Sequence, residues 1–74
     1  MAVHVTLYVK DGCSHCDAAR AALVARAVAF SEIDIARHPE AIPELLKLTR
    51  GRRIVPVVVE GARISIASDG GSVF

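Results

Sequence analysis

The N-terminal segment alternates hydrophobic and polar positions with a period of two. The apolar positions are Val3, Val5, Leu7 and Val9, and the polar positions between them are His4, Thr6, Tyr8 and Lys10. This alternation of strand-forming residues predicts a first β-strand. Asp11-Gly12 interrupts the pattern, and the alanine-rich run from about Ser14 to Arg26 contains no Gly or Pro, which predicts a first helix.

A second strand and a second helix are predicted in the middle of the chain. The stretch AFSEIDIA carries Phe30, Ile33 and Ile35 in an imperfect alternation, so a strand is expected to end near Ile35. RHPEAIPELLKLTRG follows, in which Pro39 is expected at the first helical position and Gly51 at C′, just after the end of the helix. The buried stripe of this helix is expected to consist of Leu45, Leu46 and Leu48.

Pro43 lies inside the predicted second helix. Because proline has no N–H for the carbonyl four residues earlier, we expect the regular helix to begin only near Pro43, after an irregular first turn. The two apolar runs RIVPVVVEG and ARISIAS then follow, joined by Glu60-Gly61-Ala62 as in a β-hairpin. The element order is βαβαββ, and no repeat, linker or low-complexity segment divides it, so residues 1–74 are predicted to form one α/β domain.

Composition narrows the classes of function. The chain has 74 residues, is 53% hydrophobic and only 4% aromatic, so its core must be built from Val, Ile, Leu and Ala. Nine basic and eight acidic residues leave a net charge of +1, which gives no general electrostatic reason to bind nucleic acid or an anionic membrane. No apolar stretch approaches the ~18 residues of a membrane span, and the first residues do not resemble a signal peptide. A soluble cytoplasmic protein is expected.

Cys13 and Cys16 are the only cysteines of the chain, separated by Ser14 and His15. In a reducing cytosol, a cysteine pair is more often catalytic or metal-binding than a permanent disulfide. A bridge across so short a loop also constrains the unfolded chain little, which disfavours a structural role. A structural zinc site needs four ligands and a second C-x-x-C is absent, so a metal site would need two chains to share their pairs.

In its cysteine pair and its order of elements, the chain resembles the glutaredoxins of the thioredoxin superfamily. The matching residues are the C-x-x-C of Cys13 and Cys16 after the first strand, Lys10 before it, RIVP ending at Pro56, and Gly70-Gly71 after the last strand. The resemblance implies a thioredoxin-like mixed four-stranded sheet of order 2-1-3-4 flanked by helices, with a cis Val55–Pro56 peptide facing the cysteines. It also implies a thiol–disulfide oxidoreductase that acts on disulfide-bearing or glutathionylated proteins.

The position of the cysteines gives each a different expected role. Cys13 lies at a helix N-terminus, where free N–H groups and the helix dipole lower the pKa of a thiol, so it is the expected nucleophile. Cys16 lies one turn later and is the expected resolving cysteine. Lys10 and His15 are expected to stabilise the thiolate further. Because stabilising the reduced form makes a pair more oxidising, His15 is expected either to weaken this protein as a reductant or merely to shield the site.

Glutathione is the co-substrate that the resemblance implies, with no tightly bound cofactor. In the family it pairs with the backbone before the cis-proline, here Val55 and Pro56, while basic side chains meet its glycine carboxylate and the Gly-Gly turn holds its γ-glutamyl end. The corresponding binding residues are Lys10, Arg53, Val55, Pro56, Gly71 and Ser72. Many members carry an acidic residue just after Gly-Gly, whereas this chain has Ser72-Val73-Phe74, and Asp69 precedes the glycines. Either a lower glutathione affinity or reduction by a thioredoxin-reductase-like flavoprotein is therefore expected.

Two further expectations concern partners. The family's third helix has no counterpart after Gly70-Gly71, so Ile64, Ile66 or Val73 is expected to leave an apolar patch for a homodimer or another partner. The second class of function left open is metal or cluster binding, in which two Cys13 residues and glutathione bridge a [2Fe-2S] cluster. No metal site is expected within one chain.

Overall fold

The structure is a computed structural model that describes residues 4–67 and 70–74. The predicted strand start at Val3 and the possible glutathione contact of Asp69 lie outside the described residues. In chain order the elements are β1 (Val5–Val9), α1 (Ser14–Ala25), β2 (Phe30–Asp34), a 3-10 turn (Pro39–Ala41), α2 (Ile42–Thr49), β3 (Ile54–Val55), β4 (Val57–Glu60), β5 (Arg63–Ile66) and β6 (Ser72–Val73).

Four strands form a mixed sheet in the order β2-β1-β4-β5. β1 pairs with β2 in parallel, while the β1–β4 and β4–β5 pairs are antiparallel. Because β4 and β5 are the strands predicted third and fourth, the predicted α/β class and the spatial order of these strands are confirmed. The difference lies at Pro56, which cannot donate to a strand ladder and divides the predicted third strand into β3 and β4. β3 pairs with β6, a strand that was not predicted.

Both faces of the central strand β1 are buried. Leu7 is 0% exposed and Tyr8, on the opposite face, is 5% exposed, so burial does not follow the predicted alternation. α1 covers the Leu7 face, where its residues line a groove together with Val58, the cross-strand partner of Leu7. α2 covers the Tyr8 face, where burial and the nearby Glu44 carboxylate raise the pKa of the Tyr8 phenol. A strand between two helical layers must be apolar on both faces.

The second helix begins as its prolines predict. A 3-10 turn covers Pro39–Ala41, and α2 starts at Ile42 with Pro43 in its first turn, where a missing N–H costs no helical hydrogen bond. The helix ends at Thr49 with Arg50 as its C-cap, which places Gly51 at the predicted C′ position. Arg50 takes the left-handed conformation at φ 58°, and the N–H of Gly51 donates to the Leu46 carbonyl at 2.8 Å. This bond closes the last turn and directs the chain towards β3.

Part of the expected apolar patch is exposed. Val73 is 73% exposed and Ile64 is 39% exposed, while Ile66 is partly buried. The homodimer inferred from such a patch stays a prediction. Within the part of the chain that the structure describes, no helix has both the length and the apolar character that crossing a bilayer requires.

Candidate active site

Cys13 caps the N-terminus of α1. Its backbone is extended, at φ −98° and ψ 109°, and its sulfur accepts a hydrogen bond from the Cys16 N–H at 3.2 Å. Because the first N–H groups of a helix have no partner within the helix, a side-chain acceptor at this position is stabilised by them. Cys13 and Cys16 are both buried, with 3% and 1% of their surface exposed. The first turn of α1 therefore places both sulfurs close together and shielded from solvent.

Hydrogen bonds favour the ionised form of Cys13. Burial acts to raise the pKa of its thiol, but hydrogen bonding to the sulfur acts against burial and lowers that pKa. The donors are the thiol of Cys16, the hydroxyl of Ser72 and the backbone N–H groups of Cys16 and His15. Since the thiolate is the reactive form of cysteine, this environment increases the reactivity of Cys13 at neutral pH.

The pKa of Cys16 shifts in the opposite direction. Burial, together with the hydrogen bond to Cys13 and the charge of the Cys13 thiolate, raises it to about 12. A backbone hydrogen bond from Lys10 and the charge of Arg20 oppose the shift and do not outweigh it. Cys16 is therefore a protonated thiol at neutral pH, and the two cysteines differ in charge as well as in position.

The Val55–Pro56 peptide is cis and buried within the same region. The strand register places Val55 opposite Ser72, so the β3–β6 pairing is what brings the Ser72 hydroxyl to the Cys13 sulfur. Gly71 precedes Ser72, and a Cβ atom at this position would collide with the Val55 carbonyl oxygen. Only glycine allows the two backbones to approach this closely.

The two basic residues predicted to bind glutathione both contact the C-terminal residues, and their binding of glutathione stays a prediction. The Lys10 ammonium donates to the Val73 carbonyl at 2.8 Å. The Arg53 Nε donates to the Phe74 carbonyl oxygen at 2.9 Å, and its guanidinium carbon lies 4.9 Å from the centre of the Phe74 ring. Both side chains therefore hold the segment that follows the glycines.

His15 lies beside the cysteines, and its ring lies next to Gly70. The side chain is exposed and lies so close to Gly70 that a Cβ atom there would come within 3.0 Å of the ring. The ring also lines a groove of about 150 Å³ together with Leu23, Pro56 and Val58. The contribution of His15 to the lowered pKa of Cys13 comes from its backbone N–H. The predicted effect of its imidazole on the reduction potential stays a prediction.

Sequence reasoning assigned Ser72 to glutathione and did not predict its contact with Cys13. The available signal was weak: Val73 and Phe74 favour strands, and they follow two glycines that interrupt the chain. Nothing in the local pattern indicates which strand they pair with.

Metal ligands are sparse around the cysteines. Across residues 4–67 and 70–74, no group of three or more His, Cys, Asp or Glu side chains is arranged to hold a metal ion. The cluster hypothesis consequently depends on ligands from outside this chain.

Replacing Ser72 by alanine is expected to raise the pKa of Cys13, since a hydrogen bond to the thiolate is lost. Below that pKa the fraction of thiolate falls, so alkylation by iodoacetamide should slow by roughly two- to tenfold. The measurement is the pH profile of the alkylation rate, with Cys16 replaced by serine in every protein compared. Ser31→Ala, at an exposed position on β2, is the matched control. An unchanged profile for Ser72→Ala would contradict the proposed contact.

The fold and the site define a class of protein. A cysteine pair at the start of a helix, beside a cis-proline and next to a mixed sheet with a helix on each face, is the arrangement of a thioredoxin-fold thiol oxidoreductase. The sequence model of the glutaredoxin family matches residues 5–64, and the chain belongs to that family. The resemblance inferred from the sequence is thereby confirmed.

A solved structure is also similar. It is the glutaredoxin-like protein NrdH-redoxin from Escherichia coli, which is described as having a thioredoxin-like activity profile. The two chains are 31% identical, the match covers 92% of this chain and 82% of that chain, and the TM-score is 0.75. Comparison with curated protein sequences gave no match.

Proposed function

We propose that this protein is a dithiol oxidoreductase that reduces disulfide bonds, with Cys13 as the nucleophile and Cys16 as the resolving thiol. The observation that carries this proposal is the position of two buried cysteines at the start of α1, where the Cys13 sulfur accepts a hydrogen bond from the Cys16 N–H at 3.2 Å. In this environment the pKa of Cys13 is lowered and that of Cys16 is raised to about 12. A thiolate beside a protonated thiol is the starting state that such a reaction needs.

The reaction has two exchange steps. The Cys13 thiolate attacks one sulfur of the substrate disulfide, forms a mixed disulfide, and releases the other sulfur as a thiolate that takes up a proton. Cys16 then loses its proton and attacks the Cys13 sulfur, which forms the Cys13–Cys16 disulfide and releases the second substrate sulfur. The substrate gains two electrons and two protons, and the cysteine pair of the protein is oxidised to the Cys13–Cys16 disulfide.

The raised pKa of Cys16 supports this order of events. A protonated Cys16 does not compete with Cys13 for the substrate, and its thiol hydrogen bond stabilises the Cys13 thiolate before the attack. Once Cys13 is part of a mixed disulfide, it is no longer charged. The charge of Cys13, which raises the pKa of Cys16, is then removed, so deprotonation of Cys16 becomes easier.

Trapping the mixed disulfide tests the proposal. Cys16→Ser, incubated with a disulfide-linked dimer of a peptide that contains one cysteine, is expected to retain one copy of the peptide on Cys13 and release the other, detected by mass spectrometry. Cys13→Ser, the matched control, is expected to form no adduct at neutral pH. Adducts of equal yield on the two variants would show that the cysteines are equivalent and would overturn the assignment of roles.

The electron donor for the Cys13–Cys16 disulfide is a reduced dithiol flavoprotein of the thioredoxin-reductase class or glutathione. The thioredoxin-like activity profile reported for the similar NrdH-redoxin favours the flavoprotein. Each donor would return two electrons to the disulfide. Their rates can be compared directly by following NADPH consumption with thioredoxin reductase or with glutathione and glutathione reductase.

A further inference from the structure

The C-terminal strand uses the backbone edge beside the active site. β3 and β6 are antiparallel, with Ile54 opposite Val73 and Val55 opposite Ser72. The Phe74 N–H donates to the Arg53 carbonyl at 3.2 Å. Because hydrogen-bonded pairs alternate along an antiparallel ladder, Val55 and Ser72 are also a hydrogen-bonded pair, and the polar backbone groups of Val55 point at β6.

Side chains hold the same segment in place. Lys10 donates to the Val73 carbonyl, and Arg53 donates to the Phe74 carbonyl oxygen while its guanidinium lies over the Phe74 ring. Lys10 and Arg53 are the two cationic side chains that the family resemblance predicts to bind the glycine carboxylate of glutathione. Residues 72–74 are named the C-terminal segment below. This segment pairs with the backbone edge of β3 and accepts hydrogen bonds from two cationic side chains. A short extended peptide is bound through the same kinds of group.

We propose that the C-terminal segment determines specificity by occupying the peptide-binding edge at Val55 and excluding glutathione from Cys13. The segment acts as an intramolecular ligand, so glutathione binds only to the fraction of molecules in which the segment is detached. Its apparent affinity falls in proportion to that fraction. The inference rests on the proposed function and narrows it: disulfides that need no main-chain pairing at Val55 are preferred to glutathione disulfide.

The test weakens the segment while leaving Ser72 and both cysteines in place. Phe74→Pro removes the N–H that bonds to Arg53 and the ring that lies over its guanidinium. Val73→Pro is the matched control, because the Val73–Ile54 pair is the non-hydrogen-bonded one and its N–H points away from β3. All proteins carry Cys16→Ser, and circular dichroism checks that each is folded.

Two disulfide probes separate binding at the edge from the reactivity of Cys13. Glutathione disulfide has a peptide backbone, whereas 2-hydroxyethyl disulfide has none and reports on Cys13 alone. With Phe74→Pro, the rate of Cys13 glutathionylation should rise at least fivefold and the rate with 2-hydroxyethyl disulfide should change less than twofold. Val73→Pro should keep the wild-type ratio of the two rates, and Phe74→Ala should show a smaller rise in the same direction because it keeps the N–H.

The outcomes distinguish the inference from the function beneath it. If Phe74→Pro and Phe74→Ala leave the ratio of the two rates unchanged, or raise both rates equally, the C-terminal segment does not select against glutathione and the inference is overturned. If neither probe forms an adduct with Cys13 in any protein, the proposed oxidoreductase function itself is overturned.

Discussion

Replacing Cys13 by serine is expected to abolish disulfide exchange, with a loss of roughly a thousandfold or more in the reduction of a peptide disulfide. A serine hydroxyl stays protonated at neutral pH and is a poor nucleophile towards sulfur. The hydrogen bonds that lower the pKa of the Cys13 thiol are not sufficient to ionise a serine hydroxyl at the same position. The measurement is the rate of peptide disulfide reduction with dithiothreitol as the final reductant.

Cys16→Ser is the informative partner of this variant. It keeps the nucleophile, so the first attack on a disulfide should persist in a single turnover while release of the product slows. The difference is expected because the charge and the position at the helix N-terminus belong to Cys13. Retention of more than a tenth of the wild-type rate by Cys13→Ser would contradict the assignment.

Replacing Leu7 by alanine is expected to lower the free energy of unfolding by about 2–5 kcal/mol. Leu7 is completely buried at the centre of the sheet, on the face that α1 covers. The substitution removes apolar contacts and leaves a cavity, and a domain of this size has a total stability of only about 5–15 kcal/mol. Urea unfolding followed by circular dichroism measures the change.

An exposed apolar residue provides the control for Leu7. Val24 lies on α1 with 64% of its surface exposed, so Val24→Ala should alter the free energy of unfolding by less than about 0.5 kcal/mol. A loss below 1 kcal/mol for Leu7→Ala would show that the central strand is not the core of the fold.

Much of the fold follows from local patterns. The alternation around Leu7 predicts β1, the alanine-rich run predicts α1, and Pro39 with Pro43 predicts the irregular start of the second helix. Each of these signals depends on residues that are neighbours in the chain. The position of Cys13 at the helix N-terminus is also a local prediction, because Asp11-Gly12 ends the strand and the alanine-rich run begins directly after Cys13.

The limits of prediction appear where a contact joins distant residues. The alternation by itself places Tyr8 on the polar face of β1, whereas its burial depends on α2, which covers that face. The resemblance predicts that Lys10 and Arg53 bind glutathione, which stays a prediction, while their contacts with the Val73 and Phe74 carbonyl oxygens appear only in the structure. Neither result can be derived from the residues next to each position.

The sequence alone was sufficient to predict β1, β2, both helices, the β4–β5 hairpin and the position of the cysteine pair at a helix start, since those depend on short-range periodicity and on which residues end a helix or strand. The β3–β6 pairing, the Ser72 hydroxyl at the Cys13 sulfur and the occupied edge at Val55 emerge only when the chain is folded. Their physical cause is long-range: the backbone groups of Val55, at the break that Pro56 causes, pair with those of Ser72, which lies far along the chain beyond two further strands.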